Sequence, residues 1–160
     1  MATRNLDSSI DPVRSALMAR VGSKNTRPEL VVRQTAHALG FRFRLHRKDL
    51  PGSPDLVFPR LKKVIFVHGC FWHRHPGCSK ASMPKTRVGF WTAKFAANTQ
   101  RDARSIEAIR ELGWQVCIVW ECETSDPKSI TQKVETFLMQ GTKSASHISR
   151  KVRESMCRRN

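Results

Sequence analysis

This sequence is short of acidic residues and has no long apolar stretch, and both shortages narrow what it can be. No apolar run approaches the roughly 18 residues that a membrane-spanning helix needs, and no amphipathic basic helix dominates. Neither a membrane span nor a membrane-surface helix is therefore expected. The opening residues, Met1 to Pro12, lack the apolar core of a secretory signal, so the expected location is the cytoplasm. No internal repeat or low-complexity block interrupts the chain. Only 13 Asp and Glu stand against 29 Lys and Arg, a formal charge of +16. Such a surplus concentrates a polyanion around the protein and supplies phosphate contacts, which makes nucleic acid the natural partner.

What is present is one domain's worth of chain, 160 residues, expected to act as a monomer. Residues 1–25 are polar and basic and read as a mobile arm. Residues 26–141 form the folded domain, and residues 142–160 a basic tail expected to be disordered when free. That tail holds Lys143, Arg150, Lys151, Arg153, Arg158 and Arg159 against Glu154.

Within the domain, Thr26-Arg27-Pro28-Glu29 has the form of a capping box. Leu30, Val31, Ala36 and Leu39 follow at helical spacing, and Gly40 ends the helix. Phe41, Phe43 and Leu45 alternate with Arg42, Arg44 and His46, which predicts a half-buried strand. Leu50 to Pro54 is a turn. Asp55 to Phe58 opens a second strand, and Lys62 to His68 is a third, mostly apolar and central. A helical pattern runs from Val88 to Leu112, with Phe90, Trp91, Phe95, Ile106, Ile109 and Leu112 apolar. A buried strand from Trp114 to Glu121 and a helix near Ser129–Met139 complete the order. The fold class is α/β: a single domain with a central mixed β-sheet flanked by helices.

Three groups of residues suggest chemistry. Val67 to Cys78 packs three histidines, two cysteines and two aromatics into twelve residues, just after a buried strand. Cys70, His75 and Cys78 are spaced C-x4-H-x2-C, compact enough to give three ligands to a tetrahedral metal. A fourth must come from elsewhere, and Cys122 stands at the end of the strand 114–121. Buried thiols with surface histidines are the competing reading, but in the cytoplasm five cysteines favour metal over disulfides. Cys117, between Val116 and Ile118, reads as a small core residue.

Asp55 is the second signal. A carboxylate at a strand start can hold a hard cation, or it can simply accept turn hydrogen bonds. Its company argues for the former, since His68, His73 and Glu29 are plausible neighbours and a histidine can act as a general base toward water. The third signal is Phe71 and Trp72 in the loop, with Trp91 after a basic stretch. They either cover the core beneath the loop or form a wedge that enters DNA between base steps. Trp114 and Trp120 read as core.

Pro51-Gly52-Ser53-Pro54-Asp55, then Val64 to His73 with its HGCFWH string, Phe90-Trp91, Asn98, Arg101-Asp102, Glu111 to Trp114 and Val119 to Cys122 resemble the very short patch repair endonucleases. The resemblance runs from about Arg14 to Leu138, in order and at compatible spacings. It implies a restriction-endonuclease-like fold that cuts double-stranded DNA containing a T:G mismatch. The nick would fall in one strand on the 5′ side of the thymine, with Mg2+ as catalytic and Zn2+ as structural metal. It implies Asp55 and the backbone carbonyl of Val67 as magnesium ligands, His73 as the base that activates water, and His68, Glu29 and Asp102 as polar groups around the hydrated metal. Cys70, His75, Cys78 and Cys122 would hold zinc. Phe71, Trp72 and Trp91 would be the wedge from the major groove, and Met18 a residue inserted from the minor groove.

Two departures stand out. The family's best-known members carry threonine where this chain has Val67, which a backbone-carbonyl role tolerates and a hydroxyl role does not. The segment His75 to Cys78 also spaces its ligands differently from a shorter family version. Two further readings fit the same residues: a nicking enzyme of this fold with relaxed mismatch preference, and a zinc-stabilised DNA-binding module without catalysis. A pure binding module would need neither Asp55 nor His73.

Overall fold

A computed structural model describes residues 24–141. Residues 1–23 of the expected arm, Met18 among them, and the expected basic tail lie outside the described residues. Three helices and four strands run in the order α1 (Arg27–Ala38), β1 (Arg44–Leu45), β2 (Leu56–Phe58), β3 (Lys63–His68), α2 (Val88–Glu111), β4 (Gln115–Trp120) and α3 (Pro127–Met139). The sheet has the spatial order β1-β2-β3-β4 and is mixed. β1, β2 and β3 pair antiparallel, whereas β4 lies parallel to β3 with Lys63 opposite Gln115 and His68 opposite Trp120. Parallel neighbours need a long crossover, and α2 supplies it.

Side-chain alternation along β2 and β3 sends successive residues to opposite faces, and both faces are covered. On one, Leu56, Phe58, Ile65 and Val119 pack with Val32 and Ala36 of α1 and Ile130, Val134 and Leu138 of α3. On the other, Val57, Val64 and Phe66 pack against Leu50 and Ile109, the latter from α2. This is why β3 reads as a continuous apolar run. Its first residue is an exception. Lys63 is buried, and its ammonium donates to the carbonyls of Phe137, Leu138 and Gln140, satisfying the open C-terminal end of α3.

The structure changes several expectations. The strand expected over residues 41–45 is only Arg44–Leu45, because Phe41 turns into the core beside α1 and ring-packs on Phe58. Half of the capping box forms: Thr26 accepts from the Glu29 backbone N–H, but the Glu29 carboxylate turns inward to Arg33 and His46. In α1 the buried face is Glu29, Val32 and Ala36, and Leu30 is exposed. In α2, Phe90 is 49% exposed and Leu112, just past the helix end, is also exposed. Trp120 is only half-buried and lies among histidines instead of aliphatic side chains. Cys117 packs against the first core cluster, as a small apolar residue would.

The turn before Asp55 is fixed by a close approach. Gly52 has φ +70°, and a Cβ there would come within 2.8 Å of the Ser105 Cβ on α2. Only glycine meets both demands, so the turn can lie flat on the helix. Among the described residues, no helix is long and apolar enough to cross a membrane.

Candidate active site and metal centre

The C-terminal ends of two adjacent parallel strands are where open α/β sheets gather their chemistry, and β3 and β4 end together here. β3 ends at His68, and the loop that follows carries His73, Cys70, His75 and Cys78. β4 ends at Trp120, two residues before Cys122. α2 passes alongside with Trp91, Phe95, Asn98, Asp102, Ser105 and Ile109 at alternating four- and three-residue steps, one stripe of a helix. The stripe changes character along its length, from aromatic to polar to apolar.

Asp55, Val67, His68, His73 and Asp102 line one cavity of about 350 Å³, together with Lys24, His46 and Arg101. Asp55 accepts a 2.7 Å hydrogen bond from the Val67 backbone N–H through Oδ2, leaving Oδ1 toward the cavity and 3.8 Å from His46 Nδ1. Burial, together with the nearby Glu29 charge, pushes the Asp55 carboxyl up to about 6, although the Val67 hydrogen bond pulls the other way. Behind it, Glu29 is 1% exposed, binds Arg33 and His46, and keeps a buried oxygen, Oε2, with no hydrogen-bond partner. A carboxylate short of positive charge beside an orphaned oxygen suits a hydrated hard cation.

His73 and Asp102 form a tight pair, Nδ1 to Oδ2 at 2.5 Å. Burial raises the Asp102 carboxyl, but the hydrogen bond and charge of His73 outweigh it and hold Asp102 below the ordinary value. The His73 ring is stacked on His68, with centroids 4.0 Å apart and planes 11° from parallel. Burial and the adjacent His73 push His68 down to about 4, so it is neutral at physiological pH. Asn98 donates to the Trp72 carbonyl at 3.2 Å and ties the loop to α2.

Cys70, His75, Cys78 and Cys122 bring their ligand atoms within 4.8 Å of one another. His75 Nδ1 lies 3.7 Å from the Cys70 sulfur and 3.3 Å from the Cys122 sulfur, close to the roughly 3.5–3.8 Å edges of a tetrahedron with Zn–S and Zn–N bonds of ordinary length. All four described cysteines are free thiols. Burial and hydrogen bonds with the neighbouring thiols push Cys70 up to about 12. These four residues could hold a metal ion.

Phe71 sits at the centre of the aromatic group, 5.1 Å from Trp72, 5.6 Å from Trp91 and 5.1 Å from Phe95. Phe95 is buried, whereas Phe71, Trp72 and Trp91 are half-buried. They root in the core and still present edges to solvent, so the two readings of this loop are not exclusive. Beside them runs a groove of about 1,130 Å³ that passes Arg27, Gln34, Trp72, Asn98, Arg101 and Thr131 and reaches His73 and Asp55.

Comparison with known proteins agrees with this geometry. The sequence profile described as DNA mismatch endonuclease Vsr matches residues 7–80. The chain is 51% identical over 125 residues to the type II nicking enzyme V.XorIIP of Xanthomonas oryzae pv. oryzae, covering 78% of this chain and 91% of that one. This chain belongs to the Vsr family of DNA mismatch endonucleases. Its relatives include the DNA mismatch endonuclease Vsr of Escherichia coli K12, at 39% identity over 130 residues covering 78% of this chain and 83% of the relative. They also include the type II nicking enzyme V.NmeAIP of Neisseria meningitidis, at 38% over 127 residues covering 79% and 90%. The protein is a DNA endonuclease of this family.

Sequence reasoning missed His46 and Arg33. The His46 ring lies between Glu29 (2.9 Å) and Asp55, with Arg33 at 3.0 Å, and its backbone N–H reaches the Asp55 carbonyl. In sequence it is one more polar residue in an Arg-Phe-Arg-Leu-His alternation. The signal that could have found it is the β1–β2 hairpin, which folds residue 46 back onto residue 55.

The raised Asp55 carboxyl has a measurable consequence. With a folded value near 6 and an ordinary value of 3.8, the native protein holds a proton that the unfolded chain has already lost between those pH values. The stabilisation is complete below about pH 4 and is lost as pH rises to 6, a loss of about 2–3 kcal/mol. Asp55→Asn escapes that loss. In magnesium-free buffer, denaturant melts should show Asp55→Asn more stable than the parent at pH 7.5, with the gap shrinking to about a third of that at pH 4.5. A less stable variant at both pH values would show that the free carboxylate is already well satisfied.

Proposed function

We propose that this protein nicks one strand of double-stranded DNA on the 5′ side of the thymine in a T:G mismatch, with magnesium at Asp55, and so initiates very short patch repair. The observation that carries the proposal is the convergence of Asp55, His68, His73 and Asp102 in one cavity beside a half-exposed aromatic cluster. A relative is named a mismatch endonuclease and others are named nicking enzymes, in keeping with this reading. The sheet, with its acidic site at strand ends, suits a restriction-endonuclease-like fold.

Asp55, with the carbonyl of Val67 and the orphaned Glu29 oxygen nearby, would hold the hydrated magnesium. Bound there, magnesium supplies positive charge to the phosphoryl and leaving oxygens. Asp102 holds His73 through Nδ1, which fixes the tautomer with Nδ1 protonated and leaves Nε2 as the acceptor. His73 then takes the proton of the attacking water at Nε2. Neutral His68 supports its ring from one face without adding a competing charge. Lys24 and Arg101 line the same cavity and suit the flanking phosphates. Val67 takes part through its backbone alone, so the absence of a hydroxyl there does no harm.

Cys70, His75, Cys78 and Cys122 would carry one zinc with no open position, a structural metal. Phe71, Trp72 and Trp91 would enter the stack beside the mismatch, where pairing is already disturbed and unstacking costs least.

His73→Ala should slow single-turnover nicking of a T:G duplex by about 10²–10⁴-fold, while binding to the same duplex changes little because affinity rests on basic surface. Preserved cleavage in magnesium would remove His73 from the mechanism.

Metal analysis should find one zinc per chain. Cys122→Ala should lose that zinc and several kcal/mol of stability, whereas Cys117→Ala should keep it. The reverse pattern would show that the other strand cysteine is the ligand.

Trp72→Ala separates a mismatch enzyme from a relaxed nuclease. If Trp72 is a wedge, a folded variant should lose T:G cleavage by roughly tenfold or more while weak binding to matched DNA persists, since stacking one base is worth about 1–3 kcal/mol. A well-folded variant with undiminished mismatch preference would favour the relaxed nuclease.

A further inference from the structure

Between the metal-binding loop and the catalytic histidine lies an unbroken train of flat rings. The His75 ring is stacked on Trp120, centroids 4.3 Å apart and planes 11° from parallel. The Trp120 ring meets His68 edge to face at 5.4 Å and 74°. His68 is in turn stacked on His73 at 4.0 Å. Trp120 is thus the one side chain in this train that touches both the ligand cluster and the histidine pair.

Trp120 is also held firmly enough to act as a spacer. It is the last residue of β4, paired across the sheet with His68. Its backbone N–H donates to Glu123 Oε2 at 2.7 Å, and Lys133 of α3 holds that carboxylate. Two residues on, Cys122 enters the ligand cluster. The Trp120 backbone is therefore held by the strand and, through Glu123, by α3, and its ring by His75 of the cluster. The His73 backbone N–H donates to the Gly69 carbonyl at 3.1 Å, which fixes its place in the loop and leaves the ring free to turn. The orientation of that ring rests on Asp102 on one side and on the stack with His68 on the other.

We propose that Trp120 is a positioning residue for the nicking reaction, a rigid spacer that transmits the order of the zinc cluster through His68 to the ring plane of His73. This rests on the assignment of His73 as the base and of Cys70, His75, Cys78 and Cys122 as zinc ligands. The four ligand residues would hold zinc as a structural ion, and Trp120, through His68, sets the ring plane in which His73 meets its water.

The test uses full-length zinc-loaded protein carrying Trp120→Leu, which keeps apolar bulk but removes the flat faces, and Trp120→Phe, which restores a ring. Zinc content, duplex affinity, single-turnover nicking rate and the ring-proton NMR signals of His68, His73 and His75 are measured for each. For Trp120→Leu we expect full zinc content, unchanged affinity and a nicking rate lower by about tenfold to a hundredfold, the scale of a small misplacement of a reacting group. The His73 signals should broaden or move although His73 does not touch Trp120. Trp120→Phe should recover most of the rate.

A zinc-replete Trp120→Leu protein with parental rate and an undisturbed His73 signal would overturn the proposal. So would a loss of rate that phenylalanine does not rescue, because that points to packing. Should the leucine variant not fold, Trp120→Met takes its place with the same outcomes. Failure of the mechanism itself is read separately: if His73→Ala still nicks, the base is misassigned, whatever the NMR signals of the Trp120 variants show.

Discussion

The parallel pairing of β3 with β4 is the constraint from which the rest of the site follows. Its register sets His68 beside Trp120 and brings both strands to an end at the same level. Each strand then delivers Cys and His side chains to the same point, three from the loop after β3 and one just past β4, where they could hold a metal ion. A parallel pair also obliges the chain to cross the sheet, and here the crossover is a helix of 24 residues, about 36 Å long. That length lets one helix serve three stations. Trp91 and Phe95 root the aromatic cluster, Asn98 and Asp102 fix the loop and the His73 ring, and Ser105 and Ile109 receive the Gly52 turn and the core. A slip of one residue in the register would turn His68 and Trp120 to opposite faces and dismantle all three.

Charge is distributed against the average of the molecule. With only 13 acidic residues in a chain of net charge +16, three of them, Glu29, Asp55 and Asp102, are gathered in or behind one cavity. Two are answered in different ways. Asp102 has a histidine partner and is held below its ordinary value, whereas Asp55 has mostly burial around it and is held above. Two carboxylates about one site, with environments that push them apart, suit the divided roles proposed for them, Asp102 orienting His73 and Asp55 holding a cation. The surrounding basic surface serves a different end, since it draws in the phosphate backbone without reading sequence.

Much of this was legible in the sequence, and the parts that were not share a cause. The long apolar run of β3, the helix ending at Gly113 and the Thr26 cap depend on neighbours in sequence, and they are found within a residue or two. The C-x4-H-x2-C spacing is likewise local, and the fourth residue of the cluster, Cys122, was reachable because a strand end is a recognisable place. What escaped depends on pairing across the sheet. Glu29 looked like half of a capping box, and only the fold reveals that its carboxylate turns inward to His46 and Arg33. Trp120 lies in a strand of apolar residues and was read as core. Its actual neighbours, His68 and His75, come from another strand and its loop. Phe90 fits a helical apolar stripe, yet it is exposed, with its ring against Trp91 and under the Arg87 guanidinium.

On the proposed reading of Phe71, Trp72 and Trp91 as a DNA-facing wedge, their packing lets a small enzyme keep one without exposing a loose hydrophobic patch. Isolated aromatic side chains on a surface loop would be mobile, and ordering them on binding would cost entropy at the moment of recognition. Here Phe71, Trp72 and Trp91 contact one another in tilted and edge-to-face arrangements and lean on buried Phe95. Most of that ordering cost has been met during folding. As a wedge, the same preorganised cluster would sharpen discrimination, because a rigid wedge could not relax around an intact base step. It would have to separate the bases or stay out, so the energy of unstacking would fall on the DNA and vary with how well the pair is formed. A weakened pair would then be recognised partly by how easily it yields.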